Sequence, residues 1–207
     1  MALSRDPRAR PLAESDVDPD PVRQFNLWLE EARAAGLPLP EAMTLATADA
    51  SGRPSGRMLL LKSAGPDGFT FFTGYESRKG RELDENPRAA IVVYWHALGR
   101  QVRVEGTVRR LSPDESDAYF ETRPPRSRAA AAASRQSEPL ADRRQLEAEF
   151  ERVLGDHGDA VPRPPHWGGY VLEPKTIELW QHREDRLHDR LLFTREGGTW
   201  RLERLSP

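Results

Sequence analysis

The 207-residue sequence contains no cysteine. Disulfides, a thiolate nucleophile and cysteine-ligated metal sites are therefore excluded. The sequence also has no apolar run long enough to span a bilayer, and its first residues lack the apolar core of a signal peptide. No membrane partner is therefore indicated, and a cytoplasmic protein is the default expectation.

Charge of one sign is not in excess. Lys and Arg number 31 and Asp and Glu number 33, which gives a formal net charge of −2. A chain this close to neutrality has no overall field that would attract nucleic acid. Any binding of anions must therefore be local.

Motifs for dinucleotides and metals are missing as well. The sequence has no Gly-x-Gly-x-x-Gly or Walker loop. His96, His157, His166 and His182 do not show the i, i+4 spacing of a helical zinc site. We therefore expect no metal.

The length suits one well-cored domain. Residues 1–20 are rich in Arg, Asp and Pro and should form a mobile N-terminal arm, which leaves 21–207 as a single domain. Many strand-like runs follow one another with few helices between them. This order predicts a mainly β fold with flanking helices, in which the strands form an antiparallel barrel.

Local patterns predict the elements of the barrel. Asp20 and Pro21 begin a helix that Gly36 ends. Residues 89–96 form a continuous apolar run and should be a strand buried on both sides, whereas 101–111 alternate like a half-exposed strand. Further strands are predicted over 42–48, 57–62, 69–73, 170–181, 190–195 and 199–205, and further helices over 77–86, 112–123 and 141–154.

The stretch 56–81 carries the first functional signal. Its two apolar runs are joined by residues 63–68, whose Gly-Pro-Asp-Gly content indicates a hairpin. Ser77 is a good N-cap, so Arg78 and Lys79 fall in the first helical turn, where the helix dipole disfavours cations. A phosphate bound by the free N–H groups and both side chains would explain this placement. A solvated basic turn is the alternative.

Two further groups of side chains could bind anions. Tyr119 and Arg123 are four apart on one helix face, with Ser127 just beyond, and could together grip a phosphate. The alternative is a core tyrosine and a surface arginine. Arg57 and Lys62 are five apart, so they either serve different ligand groups or lie on a bulged strand.

The segment 180–190 contains three potential cations in alternation. In an extended conformation, Arg186, His188 and Arg190 would project from one face, which favours a negative group between them. A solvated charge run, partly offset by Asp185 and Asp189, is the alternative.

Together these motifs resemble the pyridoxine (pyridoxamine) 5′-phosphate oxidase family over about residues 20–207. The resemblance is carried by RMLLLK, FFTGYESRKGRE, RQVRVEG, SRQS, IELWQHREDRLHDR and the final RLSP. It implies a split β-barrel, FMN as cofactor and a homodimer with FMN at the subunit interface.

The resemblance also implies site residues. It implies cofactor binding, with some residues from the partner subunit, by Arg57, Met58, Leu59, Leu60, Leu61, Lys62, Phe72, Thr73, Arg78, Lys79, Gln101, Gln136, Ser137, Trp180 and Arg190. It implies substrate binding by Lys62, Tyr119, Arg123, Ser127, Arg186, Leu187 and His188. Of these, Arg186 and His188 would lie over the pyridine ring as the catalytic pair.

The implied reaction is the oxidation of pyridoxamine or pyridoxine 5′-phosphate to pyridoxal 5′-phosphate. A hydride moves from the substrate C4′ to the flavin, and O2 reoxidises the flavin with release of H2O2. Residues 126–133 depart from the family pattern. Two alternatives therefore stay open: a related FMN oxidase of another ring, as in phenazine pathways, and a flavin- or pyridoxal-phosphate-binding protein with little catalysis.

Overall fold

The computed structural model describes residues 10–207. The helices in this part of the chain are α1 Pro21–Ala34, α2 Arg78–Glu85, α3 Pro113–Glu121, α4 Pro125–Ala133 and α5 Arg143–His157. The strands are β1 Ala42–Ala48, β2 Pro54–Leu60, β3 Ser63–Gly65, β4 Gly68–Gly74, β5 Arg88–Trp95, β6 Arg100–Arg110, β7 Trp167–Gln181, β8 Asp189–Glu196 and β9 Thr199–Arg204. No helix within 10–207 is long and apolar enough to cross a membrane.

The sheet curls because its two ends meet at one short connection. Its order is β2-β1-β5-β6-β7-β4-β3, and β8 and β9 continue from β7. β2 and β3 lie at opposite ends of this order but are separated only by Leu61 and Lys62. The Leu61 N–H donates to the carbonyl of Glu41 beside β1, and the Lys62 N–H donates to the carbonyl of Thr70 on β4, both at 2.9 Å. The predicted antiparallel barrel with flanking helices is confirmed.

The strand register separates an inner face from an outer face of the sheet. Directly paired residues point to the same face, and neighbours along a strand point to opposite faces. The side chain of Arg57 lies on the inner face, because its row across the sheet is otherwise a buried apolar one of Leu45, Ile91, Val104, Ile177 and Phe193. Gln101, Trp180 and Arg190 form a row on the outer face, three positions further along the strands.

The helix starts follow the capping residues. The Asp20 carboxylate accepts from the Val22 N–H at 2.9 Å, and α1 buries Phe25, Trp28, Leu29 and Ala32 against the barrel. Ser112 and Glu115 form a capping box at the start of α3. These predicted starts are confirmed.

α4 and α5 pack on each other beside the barrel. Ala129, Val153 and Val161 form a small apolar cluster of their own. The predicted helix over 141–154 ends too early, because α5 continues to His157 and Gly158 follows it with a φ of +55°. A positive φ is easily adopted by glycine, so Gly158 is the residue that stops the helix.

β5 corrects a second prediction. Its side chains alternate between buried and accessible, with Ile91, Val93 and Trp95 buried and Tyr94 53% exposed. Burial on both sides was wrong because no element within residues 10–207 covers the outer face at Tyr94.

The hairpin predicted between the strands 57–62 and 69–73 forms with a different first strand. β4 pairs with the short β3, whereas β2 pairs with β1. β2 ends at Leu60, so Lys62 lies beyond the strand. The chain leaves β2 here to reach the other end of the sheet.

The predicted mobile arm must be divided. Residues 1–9 lie outside the described part of the chain. Within 10–20, Leu12 is buried, and its N–H donates to the Asp189 carboxylate at 3.1 Å. Arg204 donates to the Leu12 carbonyl and to the Glu14 carboxylate. These contacts join Leu12 and Glu14 to the C-terminal strands, and the mobility of the arm stays a prediction.

Candidate active site

A cavity of about 390 Å³ lies between β2 and the N-terminus of α2. We call it the β2–α2 cavity, and its lining residues are Ser55, Gly56, Arg57, Met58, Leu59, Arg78, Lys79, Gln136 and Ser137. Many of the residues predicted to bind the cofactor are therefore brought together.

Lys79 is a buried cation at this cavity. It is 5% exposed, and its Nζ donates to Thr73 Oγ1 at 3.0 Å and to Ser77 Oγ at 3.2 Å. Burial and the charge of Arg57 lower the pKa of Lys79 to about 8, against an opposing effect of Glu82. Among the described ion pairs none involves Lys79, so hydroxyl groups alone satisfy it. A buried ammonium with only neutral partners suits an incoming anion.

Arg57 and Arg78 converge on one carboxylate behind the cavity. Glu82 is 5% exposed and accepts from Arg57 Nη2 at 3.1 Å and Arg78 Nε at 2.8 Å. Burial raises the pKa of Glu82, but hydrogen bonds from Ser55, Thr47, Arg78 and Arg57 outweigh this and lower it to about 2. Glu82 is therefore ionised at neutral pH.

Gln136 is held at the cavity by β4. Its Oε1 accepts from Thr73 Oγ1 at 3.0 Å and from the Gly74 N–H at 3.2 Å. Because the oxygen is occupied by β4, the amide NH2 is the group left for a ligand.

A second and larger cavity of about 570 Å³ adjoins the first, since both are lined by Leu59 and Gln136. We call it the Tyr119 cavity. Its other lining residues include all four predicted phosphate-binding residues, namely Lys62, Tyr119, Arg123 and Ser127, together with Leu60, Phe72, Thr73, Gly74, Thr122, Pro124, Ala130, Ala131, Ser134, His166 and Trp167. Arg57 and Lys62 thus line different cavities, which agrees with the first of the two alternatives considered for them.

Arg123 is held by aromatic rings instead of by a carboxylate. Its guanidinium carbon lies 4.6 Å from the centre of the Trp167 ring and 5.5 Å from that of Phe120. Its Nη1 is buried and has no hydrogen-bond partner among the described residues. Burial lowers the pKa of Arg123, with Tyr119 acting in the opposite direction. The alternative of a surface arginine is wrong, and the free buried donor points to an anionic ligand.

Aromatic rings also form one wall of the Tyr119 cavity. Phe72 and Tyr119 stack with ring centres 3.7 Å apart, and Trp167 continues the stack at 5.5 Å from Phe72. Lys62 Nζ lies 5.9 Å from the centre of the Tyr119 ring. The cavity therefore combines a flat apolar wall with two cations, which suits a planar anionic molecule.

The remaining predicted residues lie elsewhere. Gln101, Trp180 and Arg190 are on the outer face, where Arg190 Nε donates to Glu178 at 2.8 Å. With Arg186, Leu187 and His188 of the preceding loop, they form what we call the outer-face group.

The loop before β8 corrects the extended arrangement predicted for Arg186, His188 and Arg190. β8 begins only at Asp189, and Arg186 has a φ of +63°, so the three side chains do not alternate on one strand. His188 is instead placed by the Arg183 N–H, which donates to its Nδ1 at 3.0 Å, and by the Trp180 ring, 4.6 Å away between centres.

The environment of His188 favours the neutral imidazole. Burial lowers its pKa, and His182, with its ring centre 5.3 Å away, lowers it further. Because Nδ1 accepts a hydrogen bond, the proton of the neutral ring is on Nε2. His188 can therefore donate from Nε2 to a ligand.

Two groups of predicted residues therefore lie apart within this chain. Within residues 10–207, no described hydrogen bond, ion pair or ring contact joins the outer-face group to the predicted residues of the two cavities. Leu61 belongs to neither group, because its side chain is buried in the core.

Several residues at these cavities were not anticipated from the sequence. Thr47 and Ser55 face each other across β1 and β2 and both bond Glu82. Arg78 and Glu82 form an ion pair that their i, i+4 spacing on a helix could have predicted. His166, in the loop before β7, and Trp167, the first residue of β7, also line the Tyr119 cavity. No sequence pattern predicted their place in the site.

The fold is a curled antiparallel barrel with two adjoining cationic cavities, and comparison with known proteins identifies its class. Residues 29–155 match the family model for pyridoxamine 5′-phosphate oxidase, and residues 167–207 match that for the pyridoxine 5′-phosphate oxidase C-terminal dimerisation region. The chain belongs to the pyridoxamine 5′-phosphate oxidase family. The match to the dimerisation region supports a homodimer.

Individual relatives agree with this assignment. The chain is 58% identical over 199 residues to a pyridoxine/pyridoxamine 5′-phosphate oxidase of Rubrobacter xylanophilus, covering 95% of this chain and 91% of that protein. It is 52% identical over 197 residues to the enzyme of the same name from Herminiimonas arsenicoxydans, covering 95% and 93%. Among solved structures, PhzG from Burkholderia lata 383, in complex with tetrahydrophenazine-1-carboxylic acid, superposes with a TM-score of 0.92 at 37% identity, covering 97% of this chain and 100% of that one.

Proposed function

We propose that this protein is an FMN-dependent oxidase that converts pyridoxamine 5′-phosphate, pyridoxine 5′-phosphate or both to pyridoxal 5′-phosphate, with O2 as the electron acceptor and H2O2 as a product. The observation that carries the proposal is a second anion site beside the first. Lys62, Tyr119, Arg123 and Ser127 line the Tyr119 cavity, and Arg123 has a buried donor without a partner in the described part of the chain. A flavin alone would need only one phosphate site.

The residues of the β2–α2 cavity fit the phosphate of FMN. Lys79 is buried with only hydroxyl partners, and Arg57 and Arg78 stand beside it. These residues, with Gln136 and Ser137, would hold the cofactor. When bound, FMN supplies the hydride acceptor and the reaction with O2.

The Tyr119 cavity would hold the substrate. Lys62, Arg123 and the hydroxyls of Tyr119 and Ser127 would bind its phosphate, and the Phe72–Tyr119–Trp167 wall would lie along the ring. Fixing both ends of the substrate orients its C4′.

The outer-face group would complete the site from the partner subunit. Gln101, Trp180 and Arg190 would contact the flavin, while Arg186, Leu187 and His188 would contact the substrate. Support comes from the lack of any described contact, within residues 10–207, between these residues and the cavities of their own chain, and from the match of 167–207 to a dimerisation region. His188 would donate from Nε2, and Arg186 would add positive charge over the ring.

Oxygen consumption by the purified protein tests the proposal. With FMN bound, pyridoxamine 5′-phosphate should give sustained O2 uptake and stoichiometric H2O2. The likeness to PhzG makes a phenazine-type ring the second candidate. Uptake with such a ring but not with the phosphorylated pyridines would favour that candidate, and no uptake with either would indicate a binding protein.

His188→Ala should reduce turnover roughly 100-fold while leaving FMN binding intact, because a misplaced substrate commonly costs about this much. Steady-state rates and a flavin titration measure the two effects. His157→Ala, in an exposed position at the end of α5, is the matched control and should behave as wild type. A normal rate with lost flavin would refute the role given to His188.

FMN affinity should fall as pH rises through about 8. The bound phosphate favours charged Lys79, whose pKa without ligand is lowered to about 8, so binding takes up a proton above that pH. Titrations of FMN and riboflavin from about pH 7 to about pH 9 would measure the effect. An ordinary lysine, with a pKa of about 10.4, would stay charged over this range and cause no such decline. Riboflavin lacks the phosphate and should show no such decline; equal slopes for both flavins would contradict the assignment.

A further inference from the structure

Glu82 is a buried carboxylate that the proposed reaction does not use. It is not among the residues that line the β2–α2 cavity, and lies behind the Arg57 and Arg78 side chains that do. Its 5% exposure makes it unusual, because carboxylates are seldom buried unless they are fully paired.

The carboxylate of Glu82 joins three elements of the fold. Oε2 accepts from Thr47 on β1 at 2.5 Å, from Ser55 on β2 at 2.6 Å and from Arg57 on β2 at 3.1 Å. Oε1 accepts from Arg78, one turn earlier on α2, at 2.8 Å. Four donors satisfy both oxygens, so a single residue fixes α2 relative to two strands.

The two arginines depend on Glu82 to different degrees. Arg57 is also held by the Leu45 carbonyl and by the hydroxyls of Thr47 and Ser55, and its side chain is 19% exposed. Arg78 has a side chain that is 56% exposed, and among the described ion pairs Glu82 is its sole partner. Without this carboxylate, Arg78 would be free to sample many rotamers.

Glu82 also offsets repulsion at the cavity. Arg57, Arg78 and Lys79 place three cations on one wall, and Glu82 is the single carboxylate ion-paired with them in the described part of the chain. Its negative charge favours the protonated form of Lys79. The cluster can therefore be assembled before an anion arrives.

We propose that Glu82 is a positioning residue, which holds Arg57 and Arg78 in the arrangement that binds the cofactor phosphate. This inference rests on the proposed assignment of the β2–α2 cavity to the phosphate of FMN. The proposal predicts that removing the negative charge of Glu82 weakens the binding of an anion, which is the opposite of the simple Coulombic expectation. Removal of a negative charge near an anion site should by itself strengthen anion binding, whereas loss of positioning weakens it.

Loss of positioning is expected to dominate in Glu82→Gln. The amide keeps the size of the side chain and one acceptor oxygen, but it cannot bind both guanidinium groups as a carboxylate does. The substitution would also remove the negative charge that favours protonated Lys79. A smaller fraction of Lys79 would then be charged, which offsets the Coulombic gain from removing a carboxylate near the anion site.

The test compares FMN with riboflavin, which has the same ring and no phosphate. The flavin-free full-length protein is titrated with each, and binding is followed by flavin fluorescence. Glu82→Gln should weaken FMN binding at least about tenfold, because charge-assisted hydrogen bonds to the phosphate are lost, while riboflavin binding stays unchanged. The exposed Glu85→Gln, on the same helix, is the matched control and should alter neither.

Three outcomes would overturn the inference. FMN binding could be unchanged or stronger in Glu82→Gln, or both flavins could weaken equally, which would indicate only a structural role. If Glu82→Gln does not fold, Arg78→Gln must lower the FMN-to-riboflavin preference by itself, and an unaltered preference would refute the role. A wild-type protein without preference for FMN would instead disprove the cavity assignment, so the two failures are distinguishable.

Discussion

Arg123→Leu should lower kcat/KM for pyridoxamine 5′-phosphate by roughly 100- to 10,000-fold. The guanidinium is expected to make two charge-assisted hydrogen bonds to the substrate phosphate, each contributing about 1.5–3 kcal/mol. Pyridoxamine, which has no phosphate, should lose little. The ratio of kcat/KM for the two substrates is the measurement that isolates the phosphate contact.

The same substitution should stabilise the protein without ligand. Arg123 Nη1 is buried without a hydrogen-bond partner among residues 10–207, and burial already lowers the pKa of the side chain. Leucine removes the unsatisfied donor but also the stacking on Trp167, and we expect a net gain of about 1 kcal/mol. For a chain of this size that raises Tm by about 2–4 °C, measurable by calorimetry. Activity and stability would then change in opposite directions, as expected of a binding residue.

Arg126→Leu is the matched control for Arg123→Leu. Arg126 lies on α4, its side chain is 70% exposed, and it faces Glu151 and Phe150 instead of the Tyr119 cavity. Its replacement should leave both substrates unaffected. An equal loss of activity for pyridoxamine and its phosphate in Arg123→Leu would show that Arg123 only maintains the shape of the cavity.

Hybrid dimers should recover activity from two inactive variants. Arg123→Leu damages the Tyr119 cavity, and His188→Ala damages the outer-face group. If each site takes one group from each subunit, a hybrid dimer has one site with both changes and one intact site. Random mixing makes half of the dimers hybrids, so about a quarter of wild-type sites should return. Co-expression with two different affinity tags and a rate measurement on the mixture would show this.

A second mixture provides the control. Arg123→Leu with Lys62→Ala changes the same cavity in both chains, so every site of a hybrid carries a change, and no recovery is expected. If the first mixture also stays inactive although hybrids are isolated, the cavities and the outer-face group of one chain must form the site together. The proposed location of the site at the subunit interface would then be wrong.

The sequence by itself determined the local elements and the chemistry of the side chains. Caps such as Asp20 and Ser112 satisfy the first backbone N–H groups of a helix and so act over three or four residues. The first-turn placement of Arg78 and Lys79, and the shared helix face of Tyr119 and Arg123, were also local patterns. These patterns predicted anion binding, and the structure placed the residues at two adjoining cavities.

Only the tertiary structure decided which residues meet. The closure of the barrel through Leu61 and Lys62, the burial of Glu82 between β1, β2 and α2, and the stacking of Arg123 on Trp167 depend on contacts between residues far apart in the chain. The turn at Arg186 likewise replaced an extended strand. Strand register assigned Arg57 and Gln101 to opposite faces of the sheet, because side-chain direction alternates and pairing fixes which side is the core. No periodicity within a single strand carries that information.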